Sequence, residues 1–290
     1  MKPIFATDLT NDKKNDKVSG DEFIVRTVSS YATERYEESK EELKVTFEKA
    51  QLPRPLRITK TICLYVWAFV LAVTVRLIVD NGVANFSQFY GNAPYVFWAG
   101  GAAFVAWIIL SIKTGQINKE VLNSNEAENT ANDFKQNLDN VYAELGVPED
   151  AASVEILCFR YVLKKGKISV KSYPLSTFTH ANVDVVAFVE DGNLCIADVE
   201  HRYEFPLSEI TGIRLVNKKI IMPCWNKDEE HTSPKYKQYK IWTDKYGSVY
   251  AKNHYVIEID HFGENFGLYF PPYELPIFEK LTGLKAEEVK

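Results

Sequence analysis

The sequence predicts an α+β protein: a two-helix transmembrane hairpin with a helical stalk, followed by a C-terminal β domain closed by a short helix. Three observations lead there. Two long apolar runs, Ile62–Val79 and Tyr95–Ile112, lie back to back in the first half of the chain. Helix-forming, charge-rich segments flank them on both sides. From Ser153 onward the apolar pattern changes from a helical period to a period of two.

Each apolar run has roughly 18 residues, about 27 Å of helix, enough to cross a bilayer core. They set the transmembrane hairpin at 60–113, with spans at 62–79 and 95–112. Arg54, Arg57 and Lys60 precede the first run, and Lys113 and Lys119 follow the second. The intervening stretch Asp80–Pro94 holds no Lys or Arg and reads as an outer loop. The positive-inside rule then puts both termini in the cytoplasm, on a multi-pass protein of the cell membrane. Arg76 is the one charge inside the spans. It reads either as an ion-path or signalling residue, because intramembrane charge is costly, or as a side chain snorkelling to the headgroups near the span's outer end. Tyr65, Trp67, Tyr95, Trp98 and Trp107 read as interfacial belts. Ala68 and Ala72, with Ala99/Ala103 and Ala102/Ala106, read as small-residue packing faces, within the hairpin or between copies.

Residues 1–20 are mostly Lys, Asp and Asn and read as a disordered tail. In 21–59, Tyr31–Gln51 reads as a helix with a thin stripe of Tyr36, Leu43 and Phe47, stopped by Pro53 and Pro55 in a Pro-rich link. In 114–147, Ile117–Leu145 reads as a second helix, ended by Gly146 and Pro148. The two helices are expected to pair antiparallel as a stalk, or the second to self-associate as a homo-oligomer. Residues 148–290 read as one β domain of short strands separated by turns such as Lys164-Lys165-Gly166 and Phe262-Gly263-Glu264-Asn265.

The chain has 290 residues and a formal net charge of -5, with a mean hydropathy of -0.21. No global basic field marks a nucleic-acid partner. The four cysteines, Cys63, Cys158, Cys195 and Cys224, form no CxxC pair and suit a reducing compartment. No phosphate loop, nucleophile elbow or zinc-helix motif is present, so no enzyme, cofactor or metal is expected. Cys224 and His231, with Asp228, Glu229 and Glu230 between them, lack the close spacing of metal ligands. Asp198 with His201, and Asp260 with His261, sit beside turns, where polar residues are ordinary. The best binding candidate is the cluster Lys164, Lys165, Lys167 and Lys171 around Gly166, extended by Lys218 and Lys219. Lysines beside an anionic leaflet contribute about 1 kcal/mol each. The plainer reading is an ordinary charged edge hairpin.

The runs Asp191-Gly192-Asn193-Leu194-Cys195-Ile196 and Tyr203-Glu204-Phe205-Pro206-Leu207-Ser208-Glu209-Ile210-Thr211-Gly212-Ile213 resemble the pleckstrin-homology-like superfamily, including its bacterial and GRAM-type members. Tyr273–Leu281 would supply the helix that plugs one mouth of the barrel in that superfamily, with Leu275, Phe278 and Leu281 facing inward. The likeness covers roughly residues 150–285, and the closing helix lacks the tryptophan of eukaryotic members. The whole layout looks like two-span membrane proteins of Gram-positive bacteria. The resemblance implies that the first hairpin grips phosphorylated head groups. The expected role is a non-enzymatic membrane-anchored binding or scaffold module for a protein, peptide or anionic lipid partner. The alternative is an accessory or regulatory subunit of a larger membrane complex or transporter, with Arg76 paired to an acidic residue there; a third reading is a metal-binding or enzymatic domain.

The orientation is testable by cysteine accessibility in intact cells. A cysteine placed at Ser87 should react with an impermeant reagent, and native Cys224 should not; the reverse result overturns the orientation.

Overall fold

In a computed structural model the described residues are 1–10, 18–171, 180–222, 239, 241–243 and 249–287. The protein is a mixed α+β chain that divides into two units: residues 1–33 with 138–290, and residues 34–137. Helices and strands are numbered together along the chain, starting at the N-terminus.

The first unit opens with strands β1 (Lys2–Pro3), β2 (Ala6–Asp8), β3 (Val18–Ser19) and β4 (Ile24–Thr27). Helices α1 (Ser30–Lys49), α2 (Arg54–Asn92), α3 (Pro94–Leu122) and α4 (Asn125–Leu145) follow. The chain then forms β5 (Ala152–Lys164), β6 (Lys167–Lys171), β7 (His180–Glu190), β8 (Asn193–Ala197), β9 (His201–Pro206) and β10 (Ile210–Val216). Last come β11 (Ile220–Met222), β12 (Ile241–Thr243), β13 (Val249–Ala251), β14 (His254–His261), β15 (Glu264–Phe270), α5 (Leu275–Thr282) and β16 (Ala286–Glu287).

One sheet has the order β3-β2-β5-β7-β8-β9-β4, with β6 alongside β5, and a second has the order β1-β15-β14-β10-β16. Together they make a curled half-barrel whose alternate residues fill one core. Ile156, Leu194 and Phe205 of the first sheet meet Ile257, Leu268 and Phe270 of the second there. Phe278 of α5 is fully buried in that core, 4.4 Å from the Phe270 ring, while Leu275 and Leu281 pack at its margin. Gly283, at φ 72, ends α5 in the left-handed conformation that a side chain would disfavour. A smaller sheet, β11-β13-β12, covers a second cluster that includes Phe159, Tyr161 and Tyr273.

The N-terminus corrects the expectation of a disordered tail at residues 1–20. Strand β1 pairs in parallel with β15, Lys2 opposite Phe266, and β2 pairs in parallel with β5, Ala6 opposite Phe159. Between them Phe5 takes φ 55, turning the chain from one sheet to the other, and Ile4 is fully buried. The Ile4 amide donates to the Gly267 carbonyl at 2.8 Å. At the far edge of the first sheet β4 pairs with β9. The β unit is therefore built from both sides of the helical segment, and the expected boundary at 148 is not the boundary of this unit. Of the tail, residues 11–17 lie outside the described residues.

In the helical unit two helices are long and apolar enough to cross a membrane, over Arg54–Val79 and Pro94–Leu122. The expected outer loop at 80–94 is instead helical as far as Asn92. The break falls at Ala93 because Pro94 pushes its predecessor out of the helical region, and Ala93 has φ -138 and ψ 53. At 39 residues α2 is about 58 Å long, well beyond the apolar run. The expected alanine faces are not the closest contact. A Cβ on Gly100 would lie 2.8 Å from Cγ1 of Val70, so the absent side chain is what admits that approach. Trp67 and Trp107, read as interfacial, lie in the seam instead, with Trp67 stacked on Phe104 at 4.9 Å. Tyr65, Tyr95 and Trp98 are exposed.

Helix α1 pairs antiparallel with α4, with the Tyr36 ring 5.6 Å from Phe134 and Lys49 bound to Glu126 at 2.6 Å. The buried stripe of α1 is Ala32, Tyr36, Ser39 and Thr46, continued by Ala50 just past its end, while Phe47 is half exposed. The expected single helix over Ile117–Leu145 is two. Asn123 and Ser124 interrupt it, and the Ser124 hydroxyl accepts from the Ala127 amide as the cap of α4.

If the N-terminal strands are structural, Ile4→Ala should lower the unfolding free energy by about 3 kcal/mol. Deleting residues 1–8 should expose the β unit to limited proteolysis. A truncated chain as resistant as the full one would restore the tail reading.

Candidate functional site

The expected lysine cluster falls on the ribbon β5–β6. Its turn is Lys165-Gly166, at φ 49 and 72, the pair of left-handed residues that matches a two-residue hairpin to the twist of its strands. The pairing is Lys164 opposite Lys167, Leu163 opposite Ile168, Val162 opposite Ser169, Tyr161 opposite Val170 and Arg160 opposite Lys171. Since side chains alternate along a strand, Arg160, Lys164, Lys167 and Lys171 share one face, with Val162 and Ser169 between them. Lys165 stands at the tip. No carboxylate shares that face of the ribbon, and the four lysines make no ion pair among the described residues. Farther down β5 the same alternate positions are Val154 and Ile156 of the core, so the basic face continues the core-facing side of the strand past the barrel rim.

The opposite face is apolar. Tyr161 is buried and Ile168 packs on the second cluster, while Leu163 and Val170 are more than a third exposed. They border an open cleft of about 820 Å³ that also meets Met1 and Tyr269. The ribbon is thus basic on one side and held to the unit by the other. Two like-charge pairs directly opposite one another destabilise a hairpin, so local stability does not account for this arrangement. Arginine 160 was not part of the sequence-level cluster, yet strand alternation from Lys164 reaches it directly.

The other expected positions fare differently. Lys219 lies over the Tyr250 ring at 4.2 Å, in the small sheet. Arg76 is exposed on α2, sixteen residues before that helix ends. Asp198 accepts from the amides of Glu200 and His201, and Asp260 accepts from Gly263, so both carboxylates serve turns. His261 meets Glu209 at 2.7 Å rather than Asp260. The side chain of His180, the loop with Cys224, His231 and Asp228–Glu230, and the turn Tyr246-Gly247 lie outside the described residues.

Sequence reasoning missed the most buried charge. Arg202 on β9 is 2% exposed and meets Glu190 and Glu204, the latter at 2.6 Å. Its guanidinium also lies 5.0 Å over the Phe188 ring and donates to the Leu145 and Gly146 carbonyls at 3.3 Å. Those carbonyls end α4, where Gly146 at φ 69 and the Val147-to-Tyr142 bond complete a Schellman cap. Close by, the Glu144 carboxylate accepts from the amide and hydroxyl of Ser29, the residue before α1. The signal was faint: Glu190, Arg202 and Glu204 are 12 and 2 residues apart, and only strand register puts them on one face. This cluster is a clasp at the two points where the chain leaves and re-enters the β unit. It holds no exposed reactive group, and burial pushes the neighbouring Cys195 thiol up, away from its reactive thiolate.

No family model, curated protein or solved structure matches the chain.

Arg202→Met should destabilise the protein by about 3 kcal/mol, because it leaves Glu204 half-buried without its partner. The Arg202 hydrogen bond and charge hold the Glu190 carboxyl below its ordinary 4.5, so its contribution is complete above that pH and is lost as pH falls through the lower folded value. Thermal melts should show the gap between wild type and variant narrowing below about pH 4.5. A gap constant with pH would mean the pair carries none of the difference.

Proposed function

We propose that this chain is an integral membrane protein in which a pleckstrin-homology-like β unit, on the cytoplasmic side, docks onto anionic lipid head groups. The observation that carries the reading is the ribbon β5–β6, with Arg160, Lys164, Lys167 and Lys171 on one carboxylate-free face and Lys165 at its tip. In a chain of formal net charge -5, such a surface is a local exception that attracts anions within about a Debye length, roughly 8–10 Å. Ammonium groups act there as point charges that suit a head-group layer rather than one oriented ligand.

The membrane part rests on the two apolar helices together with the construction of the β unit. Residues 1–33 and 138–290 form one hydrogen-bonded unit, so both pieces occupy one side of a bilayer and the helical segment crosses it an even number of times. Two crossings satisfy that condition, and Arg54, Arg57, Lys60, Lys113 and Lys119 favour the cytoplasm for the shared side. The pleckstrin-homology-like reading is supported by a curled sheet finished by a helix whose Phe278 fills the core.

The β unit needs its N-terminal strands, so the test uses the full chain. Protein in zwitterionic nanodiscs should co-float with phosphatidylglycerol vesicles at low salt and release as salt rises. K164Q/K165Q/K167Q/K171Q should lose most of that binding, with a melting temperature no lower than wild type because it relieves the opposed like charges. Equal flotation of the variant overturns the docking role.

A further inference from the structure

The helical unit carries a second basic feature, unrelated to the ribbon. Helices α1 and α2 are separated at Ala50–Pro53, and α3 and α4 at Asn123–Ser124, so both arms of the helical unit break near the same level, beside the Lys49–Glu126 pair. Two clefts open there, and their walls differ in chemistry. One, of about 450 Å³, is lined by Leu43, Phe47, Leu122 and Ala127, with Glu128 its charged residue. The other, of about 710 Å³, combines Val45, Leu52 and Ile117 with the cations Lys49, Arg54 and Arg57. Glu48 also borders it, and Lys49 is engaged by Glu126, which leaves the two guanidinium groups as the cleft's distinguishing charge. Arg57 additionally donates to Gln51 across the break.

What lies along α2 beyond this cleft narrows the occupant. Arg54, Ile58, Ile62, Tyr65 and Phe69 recur at steps of four, four, three and four, which puts them on one helix face. Ile58 and Ile62 are just over half exposed and Tyr65 and Phe69 about 70%. A cationic, partly apolar cleft therefore leads into an uninterrupted exposed apolar stripe. A free phosphate would use the first part only, and an apolar peptide the second only. An amphiphile with an anionic head and a hydrocarbon tail matches both in order.

We infer that the cleft bounded by Val45, Leu52, Arg54, Arg57 and Ile117 is a binding site for one anionic phospholipid. Its phosphate is held by Arg54 and Arg57, and an acyl chain runs along Ile58, Ile62, Tyr65 and Phe69. Guanidinium forks match phosphate oxygens in pairs, and a basic site at the cytoplasmic end of membrane helices is where such a lipid is presented. The inference rests on the membrane-spanning reading and is independent of the ribbon.

The full-length protein in zwitterionic detergent micelles, titrated with phosphatidylglycerol or with phosphatidylcholine of the same chains, tests this by native mass spectrometry. One phosphatidylglycerol should be retained preferentially. R54Q/R57Q should weaken its binding roughly thirtyfold, from about a fivefold factor per cation. R54K/R57K should keep most of the affinity. If the double glutamine variant does not fold, R54Q alone should show about the single-cation loss. K113Q/K119Q removes two cations of α3 that do not line the cleft, and should leave the preference intact. An equal loss in K113Q/K119Q means a diffuse charge belt and overturns the site, as does displacement of the lipid by millimolar inorganic phosphate. Labelling at S87C in intact cells separates the two readings. A chain that does not span overturns both. A spanning chain whose R54Q/R57Q variant binds phosphatidylglycerol like wild type overturns this site alone.

Discussion

The pairing of the first eight residues with two strands far away in sequence, β5 in the middle of the chain and β15 near residue 266, is the constraint on which the β unit depends. Strand β1 joins the edge of one sheet and β2 an interior position of the other, with Phe5 turned between them. That short segment hydrogen-bonds to both sheets, which also pack through their common core and are joined in sequence by the β9–β10 connection. Its register is set by burial: Ile4 and Phe5 enter the core and Ala6 the second cluster, and a one-residue slip would turn them out. The cost is kinetic. Lys2 must wait for Phe266, so the seam closes only after nearly the whole chain has been made. Until then an edge of each sheet is open to wrong partners.

Because the β unit draws on both sides of the helical segment, the exit and re-entry of the chain are themselves packed features. Ser29 and Glu144 are bonded to each other, and Arg202 takes the last carbonyls of α4. A buried guanidinium is costly to desolvate, and here two carboxylates, two carbonyls and an aromatic face share that cost. A hydrophobic residue in its place would carry no desolvation cost of its own but would leave the α4 carbonyls and the Glu204 carboxylate without their partner. The clasp therefore specifies where the helix ends more than it adds net stability. Gly146 belongs to the same device: a Cβ there would come within 2.4 Å of the Arg26 guanidinium.

What was legible in the sequence follows the range of the interaction that fixes each element. The apolar runs, α1, the turn at Lys165-Gly166 and the short C-terminal helix at Leu275–Thr282 are local patterns, and each is where its pattern puts it. Strand β1 has two residues and β2 three, too short to show a period, and the polar run after Thr10 outweighed Ile4, Phe5 and Ala6 in composition. The helical continuation through Asp80–Asn92 was hidden because a polar segment without Lys or Arg between two spans reads as loop. Proline 94, not composition, decides where the chain turns. The seam of α2 and α3 was misassigned since Trp67 and Trp107 lie near the ends of their runs, and only the partner helix reveals Gly100 beneath Val70. Of the candidate site, the lysines were legible as a cluster. Alternation along β5 reaches Arg160 from Lys164, but the common face with Lys167 and Lys171 required the strand register.

That register also bears on why the ribbon keeps its charges. Lys164 faces Lys167 and Arg160 faces Lys171, so each of the two pairs works against the hairpin that carries it. The ribbon is held despite this because its other face is anchored by Tyr161 and Ile168 in the second cluster, under the small sheet β11-β13-β12. Separating the two jobs by face lets one side carry stability and the other carry a row of like charge. An edge hairpin needing only protection from aggregation would be served by one or two lysines, with carboxylates interspersed at no loss. On the proposed docking role, the like charge concentrated at Lys164, Lys165, Lys167 and Lys171 is the feature that an anionic surface outside the molecule would meet.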